Sequence, residues 1–376
     1  MPDLMRGGEG RVVLADPDDS VAGRVLEGSR TETGRTAEDE QAHGTPNNAR
    51  RAPAFVAHDV AVIVQAESDL PDWLTGPQGP LGPDAVFVRG ELLRCWGLSE
   101  VWRLQLGGPE PRSVIVKRGT GEMAEEARRY RELVVPLGIA APRLLTTRGG
   151  DDGHPVVLVL QDVGSSTLEQ RPTAAGYEMA VRTLSKIRAV AARRLARDPA
   201  IGMRLRQTVD DFAETAHRAA VGLAELRPDL AEALDGPAKV LTHRLDQLSG
   251  QPDTIVHGDF QGKNLIHGAE GSIVPVDWPG AYVHPNLGDL YLLLREARHH
   301  ERILKIDANG LINVFAREAE TDPVSVREQI RTGGLCWTML ALRWAVEEGV
   351  RTVPVSAGWI DELVADALSL AMPALG

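Results

Sequence analysis

The chain has 376 residues, a formal net charge of −12 from 41 Lys and Arg against 53 Asp and Glu, and 43% hydrophobic residues. An acid excess of this size argues against a nucleic-acid or anionic-membrane binder, and the length points to two lobes rather than one small core. No apolar run is long enough to span a bilayer, the opening "MPDLMRGGEG" has no apolar signal core, and Cys95 and Cys336 stand far apart without neighbouring ligands. The reading is a cytoplasmic protein with reduced thiols and no disulfide framework or zinc site.

In chain order, residues 1–56 form the first expected unit, a disordered extension. The stretch "GSRTETGRTAEDEQAHGTPNNARR" has too few large apolar residues to bury a core. Order is expected from about Ala57, in "AHDVAVIVQ". Residues 57–163 then read as a β-rich lobe. The runs "ELLRCWG", "SEVWRLQL", "RSVIVKR" and "PVVLVLQDV" are short, rich in β-branched and apolar residues, and bounded by turn residues, with one helix, "GEMAEEARRYRELVVPLG", among them. Residues 164–376 read as a helical lobe. Thr173 is placed to cap the first helix, "AAGYEMAVRTLSKIRAVAARRLAR", and further helical patterns follow in "DDFAETAHRAAVGLAELRPDL", "SVREQIRTGGLCWTMLALRWAVEEG" and "WIDELVADALSLAM". A small β-rich island, Thr254 to Asp277, interrupts them. The fold class predicted is α+β with two lobes.

Several side chains carry chemistry. Strand alternation puts Lys117 on the same face as Ile115, where it is either a point charge for phosphates or a solvated strand-end lysine. In the helix that follows, Glu125 has Arg128, Arg129 and Glu132 as helical neighbours, a solvated face. Glu126 instead has Tyr130 and Leu133, so it flanks the buried stripe and is the better partner for Lys117. The strand "VLVLQDVGSS" ends where backbone groups can face a flat heterocycle, or it simply links the lobes. The loop "VHGDFQGKNLIHG" and the following "SIVPVDWPGA" place Asp259, Asn264 and Asp277 around one hairpin. Carboxylate and amide oxygens suit Mg²⁺ shared with phosphate, and a second carboxylate can accept a proton from a hydroxyl nucleophile, which together describe phosphoryl transfer. Read singly, the three residues cap turns or end a strand.

These motifs resemble the aminoglycoside phosphotransferase and choline-kinase branch of the protein-kinase-like fold. "HGDFQGKN" fits the catalytic loop H-G-D-x-x-x-x-N, "VDW" stands where protein kinases have D-F-G, and "SVIVK", "EEARRYREL" and "HPNLGDLYLLLREA" fall in the expected order between Ala85 and Ala297. The resemblance implies a two-lobed fold and the cofactors ATP and Mg²⁺. Asp259 would orient or deprotonate the acceptor hydroxyl, Asn264 and Asp277 would hold the metal, and Lys117 would contact the α and β phosphates while pairing with Glu126. It further implies that the backbone of Gln161, Asp162 and Val163 holds the adenine, that "CWGLSEVW" covers the phosphates with Ser99 near the transferred group, and that Asp289 braces the catalytic loop. His257 reads as structural, and Lys263 as either a γ-phosphate contact or a solvated side chain. The phosphate loop departs from the G-x-G-x-x-G pattern, with the single glycine Gly97.

The acceptor predicted is a hydroxyl of a small molecule. Asp210, Asp211, Glu214, Glu347 and Glu348 either attract a cationic one, such as an aminoglycoside-like compound, or are solvated helix faces. Two alternatives stand beside this reading: a kinase of Ser or Thr in a peptide or protein, and a non-catalytic nucleotide-binding scaffold. The second sits poorly with the presence of Lys117, Asp259, Asn264 and Asp277 together, since a scaffold needs none of them.

Overall fold

The computed structural model describes residues 62–75, 79–81, 85–108, 112–149 and 155–373. The expected N-terminal extension, and the expected onset of order at Ala57, lie outside the described residues.

Six antiparallel strands form the main sheet: β1 (Val62–Val64), β2 (Val86–Trp96), β3 (Ser99–Gly107), β4 (Arg112–Gly119), β5 (Leu144–Arg148) and β6 (Val156–Gln161), in the order β1-β2-β3-β4-β6-β5. Alternation along β4 sorts its side chains. Val114 and Val116 enter a core with Trp102, Leu104 and Val159 on the far face, while Ile115 and Lys117 face a cleft. Between β4 and β5 lies the expected helix. Its α1 segment (Glu125–Arg129) continues through a π-helical turn at Tyr130–Val134 to Val135–Leu137 and stops at Gly138, whose φ is 61°.

Beyond the sheet, α2 (Ala174–Arg197) starts at Thr173, whose side chain accepts from the Gly176 N–H at 3.0 Å. Then come α3 (Val209–Leu226) and α4 (Asp235–Leu248), a short strand β7 (Ile255–Val256), the hairpin β8 (Leu265–His267) and β9 (Ile273–Pro275), and β10 (Tyr282–Val283), which pairs with β7. The chain closes with α5 (Gly288–Leu304), α6 (Ala308–Glu318), α7 (Pro323–Trp344) and α8 (Ile360–Ala371). One apolar cluster joins the two halves: Ala127, Tyr130, Leu133 and Leu137 pack with Leu158 of β6, Ile187 of α2 and the fully buried Trp278. That packing seats the segment around Trp278, just after the β8–β9 hairpin, under the sheet. Among the described residues no helix is long and apolar enough to cross a membrane, and both cysteines are free.

Candidate active site

Lys117 lies buried at the cleft floor. Its Nζ is 2.5 Å from Glu126 Oε2 and 2.5 Å from Asp277 Oδ1. Glu126 is fully buried and its Oε1 also accepts the Trp278 N–H at 3.1 Å, so one α1 carboxylate fixes both the lysine and the backbone just after Asp277. Burial alone would lower the pKa of the Lys117 ammonium, but Asp277 and Glu126 outweigh it and hold the group above its ordinary value. Burial would likewise raise the Asp277 carboxyl, and the Lys117 and Arg94 cations instead hold it well below the usual carboxylate range. Asp277 has a φ of 68°, a left-handed conformation that costs energy for a residue with a Cβ.

The hairpin brings the loop to this carboxylate. Leu265 pairs with Pro275, and the Val276 N–H donates to the Asn264 carbonyl at 2.9 Å, which sets Asn264 beside the strand end that carries Asp277. Asn264 Nδ2 donates to Asp259 Oδ2 at 2.8 Å and to the Asp259 carbonyl at 3.0 Å. Lys263 Nζ pairs with Asp259 Oδ2 at 3.0 Å, and Gln261 Nε2 donates to Asp259 Oδ1.

The loop is held from behind. Asp289 accepts the N–H groups of His257 at 2.7 Å and Gly258 at 3.0 Å, and burial raises its carboxyl pKa. His257 Nε2 lies 3.1 Å from the Val276 carbonyl while its Nδ1 accepts the Asp259 N–H at 3.3 Å, an arrangement satisfied by the neutral Nε2–H tautomer. Gly258 has a φ of 86° and runs so close to Gly280 that a Cβ would sit 2.6 Å from its carbonyl oxygen.

The cleft encloses about 300 Å³, a volume in the range of small-ligand sites. Its wall includes Lys117, Glu126, Ser99, Asn264 and Asp277, and at the far end Gln161 and Val163. Ser99 is buried and its Oγ has no hydrogen-bond partner among the described residues. Asp162 does not line the cleft. Its carboxylate takes Arg103 Nε at 2.8 Å, Ser113 Oγ at 2.6 Å and the Gly164 N–H at 3.0 Å, so it braces the strand-to-lobe connection. The turn expected to cover the phosphates is a two-residue hairpin, Gly97-Leu98, between paired Trp96 and Ser99.

Sequence reasoning missed Arg94, Arg103 and Glu296. Arg94 approaches Asp277, with Nη1 3.8 Å from Oδ2. Glu296 accepts the Gly262 N–H at 2.5 Å and the Tyr177 hydroxyl at 2.8 Å, a second brace under the loop. Glu296 stands seven residues, about two helical turns, beyond Asp289 on the same face of the same helix, which is the signal that was available. Of the acidic residues weighed for an acceptor, Asp211 completes the N-terminal capping box of α3 with Thr208, and Glu347 is held by Arg218 at 2.7 Å.

A β-rich lobe whose buried lysine–glutamate pair reaches a carboxylate on a helical lobe defines a kinase-like phosphotransferase fold. The chain matches the model of the phosphotransferase enzyme family (APH) over residues 96–322, more than half its length, and belongs to that family. Among solved structures it is similar to a putative aminoglycoside phosphotransferase from Ralstonia eutropha, with a TM-score of 0.54 and 12% identity over 80% of this chain and 96% of that one. It is also similar to a thermostable mutant of aminoglycoside phosphotransferase APH(4)-Ia in ternary complex with ADP and hygromycin B, with a TM-score of 0.51 and 13% identity over 78% of this chain and 95% of that one. At these identities the likeness concerns the fold. Comparison with curated protein sequences gives no match.

Proposed function

We propose that the protein is an ATP- and Mg²⁺-dependent O-phosphotransferase acting on a hydroxyl of a small molecule. The observation that carries this reading is the bridge from Glu126 through Lys117 to Asp277, beside the Asp259–Asn264 pair. Lys117, held as a cation, is the phosphate anchor. The backbone around Gln161 and Val163 receives the adenine; the Val163 N–H has no hydrogen-bond partner among the described residues. Asp259 orients the acceptor hydroxyl and takes its proton, with Lys263 beside it as a charge partner for the transferred group.

The donor set fits Mg²⁺. Asn264 commits its side-chain nitrogen to Asp259 and leaves its side-chain oxygen, Oδ1, without a donor among the described residues, and Asp277 supplies a carboxylate kept ionised by its neighbours. One carboxylate and one amide oxygen, completed by phosphate oxygens, match the oxygen donors that Mg²⁺ takes in nucleotide sites. Bound there, Mg²⁺ would neutralise charge on the phosphate chain.

Two structures of the similar enzyme APH(4)-Ia hold ADP or AMP-PNP together with hygromycin B, which supports a nucleotide and a small-molecule acceptor in this fold. The test is mass spectrometry of aminoglycosides, other antibiotics, amino alcohols, sugars and Ser/Thr peptides incubated with the protein and Mg-ATP, with Asp259→Asn as control. A phosphate added to a small molecule, and absent with the control, is the expected result. Phosphorylation confined to peptides would replace the small-molecule reading, and absence of nucleotide binding would overturn it.

A further inference from the structure

Arg94 occupies a place that strand alternation alone would deny it. Leu92 pairs with Trp102 and faces the far core, and unbroken pairing would set Arg94 opposite Glu100, on that same face. Instead Arg94 pairs with Val101, because Leu93 is an extra residue, a β-bulge, in β2. Bulges re-aim side chains, and this one turns Arg94 into the cleft. Val101 in turn pairs with Lys117. Arg94, Val101 and Lys117 therefore form one row across three strands, with a cation at each end and an apolar residue between.

Both cations converge on Asp277. Lys117 takes Oδ1 at 2.5 Å and Arg94 approaches Oδ2 at 3.8 Å. The Arg94 guanidinium also lies 5.3 Å from the centroid of the Trp96 ring, which supports it from the neighbouring cleft-facing position. Among the described residues no side-chain hydrogen bond to Arg94 is present, and its side chain keeps 33% exposure, so the guanidinium can take a new partner.

The sheet order gives a direction to the ligand. Gln161 and Val163 stand at the β6 end of the cleft, Lys117 on the adjacent β4, and Arg94 two strands further on β2. A nucleotide with its base at the β6 end and its phosphates passing Lys117 brings its terminal phosphate toward β2. The tight turn Gly97-Leu98 has one glycine, so the roof has little flexible backbone to wrap that phosphate. A planar guanidinium offers paired donors matched to phosphate oxygens.

We infer that Arg94 is a ligand of the nucleotide's terminal phosphate: the guanidinium that lies beside Asp277 takes the γ-phosphate of Mg-ATP. The inference rests on the nucleotide-binding reading of the cleft. Calorimetric titration of the full chain with Mg-ATP and with Mg-ADP tests it, using wild type, Arg94→Met and Arg94→Lys, with the unliganded thermal midpoint of each as the folding check. Arg94→Met is expected to weaken Mg-ATP at least tenfold and to leave Mg-ADP within about threefold of wild type, while Arg94→Lys, which keeps the charge and loses the fork, falls between. Should the Met variant fail to fold, a selective loss for Mg-ATP in the Lys variant is the expected result. Equal weakening of both nucleotides, or none, would overturn the assignment. Wild type that binds neither nucleotide would sink the phosphotransferase reading itself, a failure recognisable because it precedes any substitution.

Discussion

Lys117 and Glu126 meet at 2.5 Å with side-chain exposures of 8% and 1%, so the contact is an ion pair in the interior rather than a surface one. Removing one member of such a pair leaves a buried charge with fewer partners, a loss on the order of 3–5 kcal/mol, whereas exposed pairs contribute little. Glu126→Ala should therefore lower unfolding stability by about 3 kcal/mol in urea titration. The Asp277 contact retains part of the lysine's compensation, which keeps the figure at the low end. By contrast, Glu125→Ala, which removes half-exposed contacts to Arg128 and Arg129, should change stability by less than about 1 kcal/mol. Equal effects of the two substitutions would contradict the assignment of Glu126 as the interior partner.

Glu296 supports a sharper kinetic prediction. Its two oxygens hold the Gly262 N–H and the Tyr177 hydroxyl, and Gly262 sits between Asp259 and Asn264 in the loop. Glu296→Ala would strand a buried N–H and let the loop drift, and small displacements of reacting groups are costly. Under the proposed reaction, kcat should fall on the order of ten- to a hundred-fold with nucleotide KM changed far less. Tyr177→Phe, which removes one hydroxyl from the same carboxylate, should cost under tenfold. A loss of nucleotide affinity with kcat intact would place Glu296 outside the loop's support.

How much of this was legible beforehand depended on range. Apolar and β-branched runs exposed β2, β3, β4 and β6, and helical periodicity exposed the helix around Glu126. The loop residues Asp259 and Asn264 and the strand-end Asp277 were legible because a hairpin closes its own ends. The strand Leu144–Arg148 and helices Asp235–Leu248 and Ala308–Glu318 were not identified. "LLTTR" has too few apolar residues to stand out as a strand, and Gly236-Pro237 at the start of its helix reads as a turn. Arg94 was hidden by a bulge, since a single extra residue reverses which face a side chain takes and nothing in "ELLRCWG" marks Leu93 as that residue. Arg103 and Asp162 are 59 positions apart, and only the pairing of β3, β4 and β6 brings them together.

That Arg103–Asp162 contact carries an acid-stability prediction. Burial would raise the Asp162 carboxyl, but hydrogen bonds from Arg103, Ser113 and the Gly164 N–H lower it below its ordinary value. A carboxyl depressed in the folded state contributes its stabilisation above its unfolded pKa, near 3.9, and loses it as pH falls toward the folded value. Asp162→Asn should therefore be less stable than wild type at pH 7, and the gap should narrow below about pH 4. Urea midpoints measured from pH 3 to pH 7 decide it, and a gap independent of pH would show that the carboxylate charge is not what braces the connection.

His284 gives the opposite kind of group, one kept neutral by its surroundings. Burial lowers its pKa and the nearby Arg188 cation lowers it further, to about 4. Its Nδ1 accepts the Asn286 N–H at 3.1 Å and Asn286 Nδ2 lies 2.9 Å away, contacts that a protonated ring would lose, and Phe212 packs edge-on with ring centroids 5.2 Å apart. The unfolded chain takes up this proton near pH 6.5 and the folded chain does so only near pH 4. Stability is thus fully present above pH 6.5 and falls progressively as pH drops to the folded value, because between them the unfolded state binds one proton more. At pH 5 the loss amounts to about 2 kcal/mol. His284→Gln should be less stable than wild type at pH 7, because the ring packing is lost, yet should lose about 2 kcal/mol less than wild type between pH 7 and pH 5. Urea titrations of both proteins at the two pH values measure that difference directly, and identical pH dependence in the two would show that His284 does not titrate in this window.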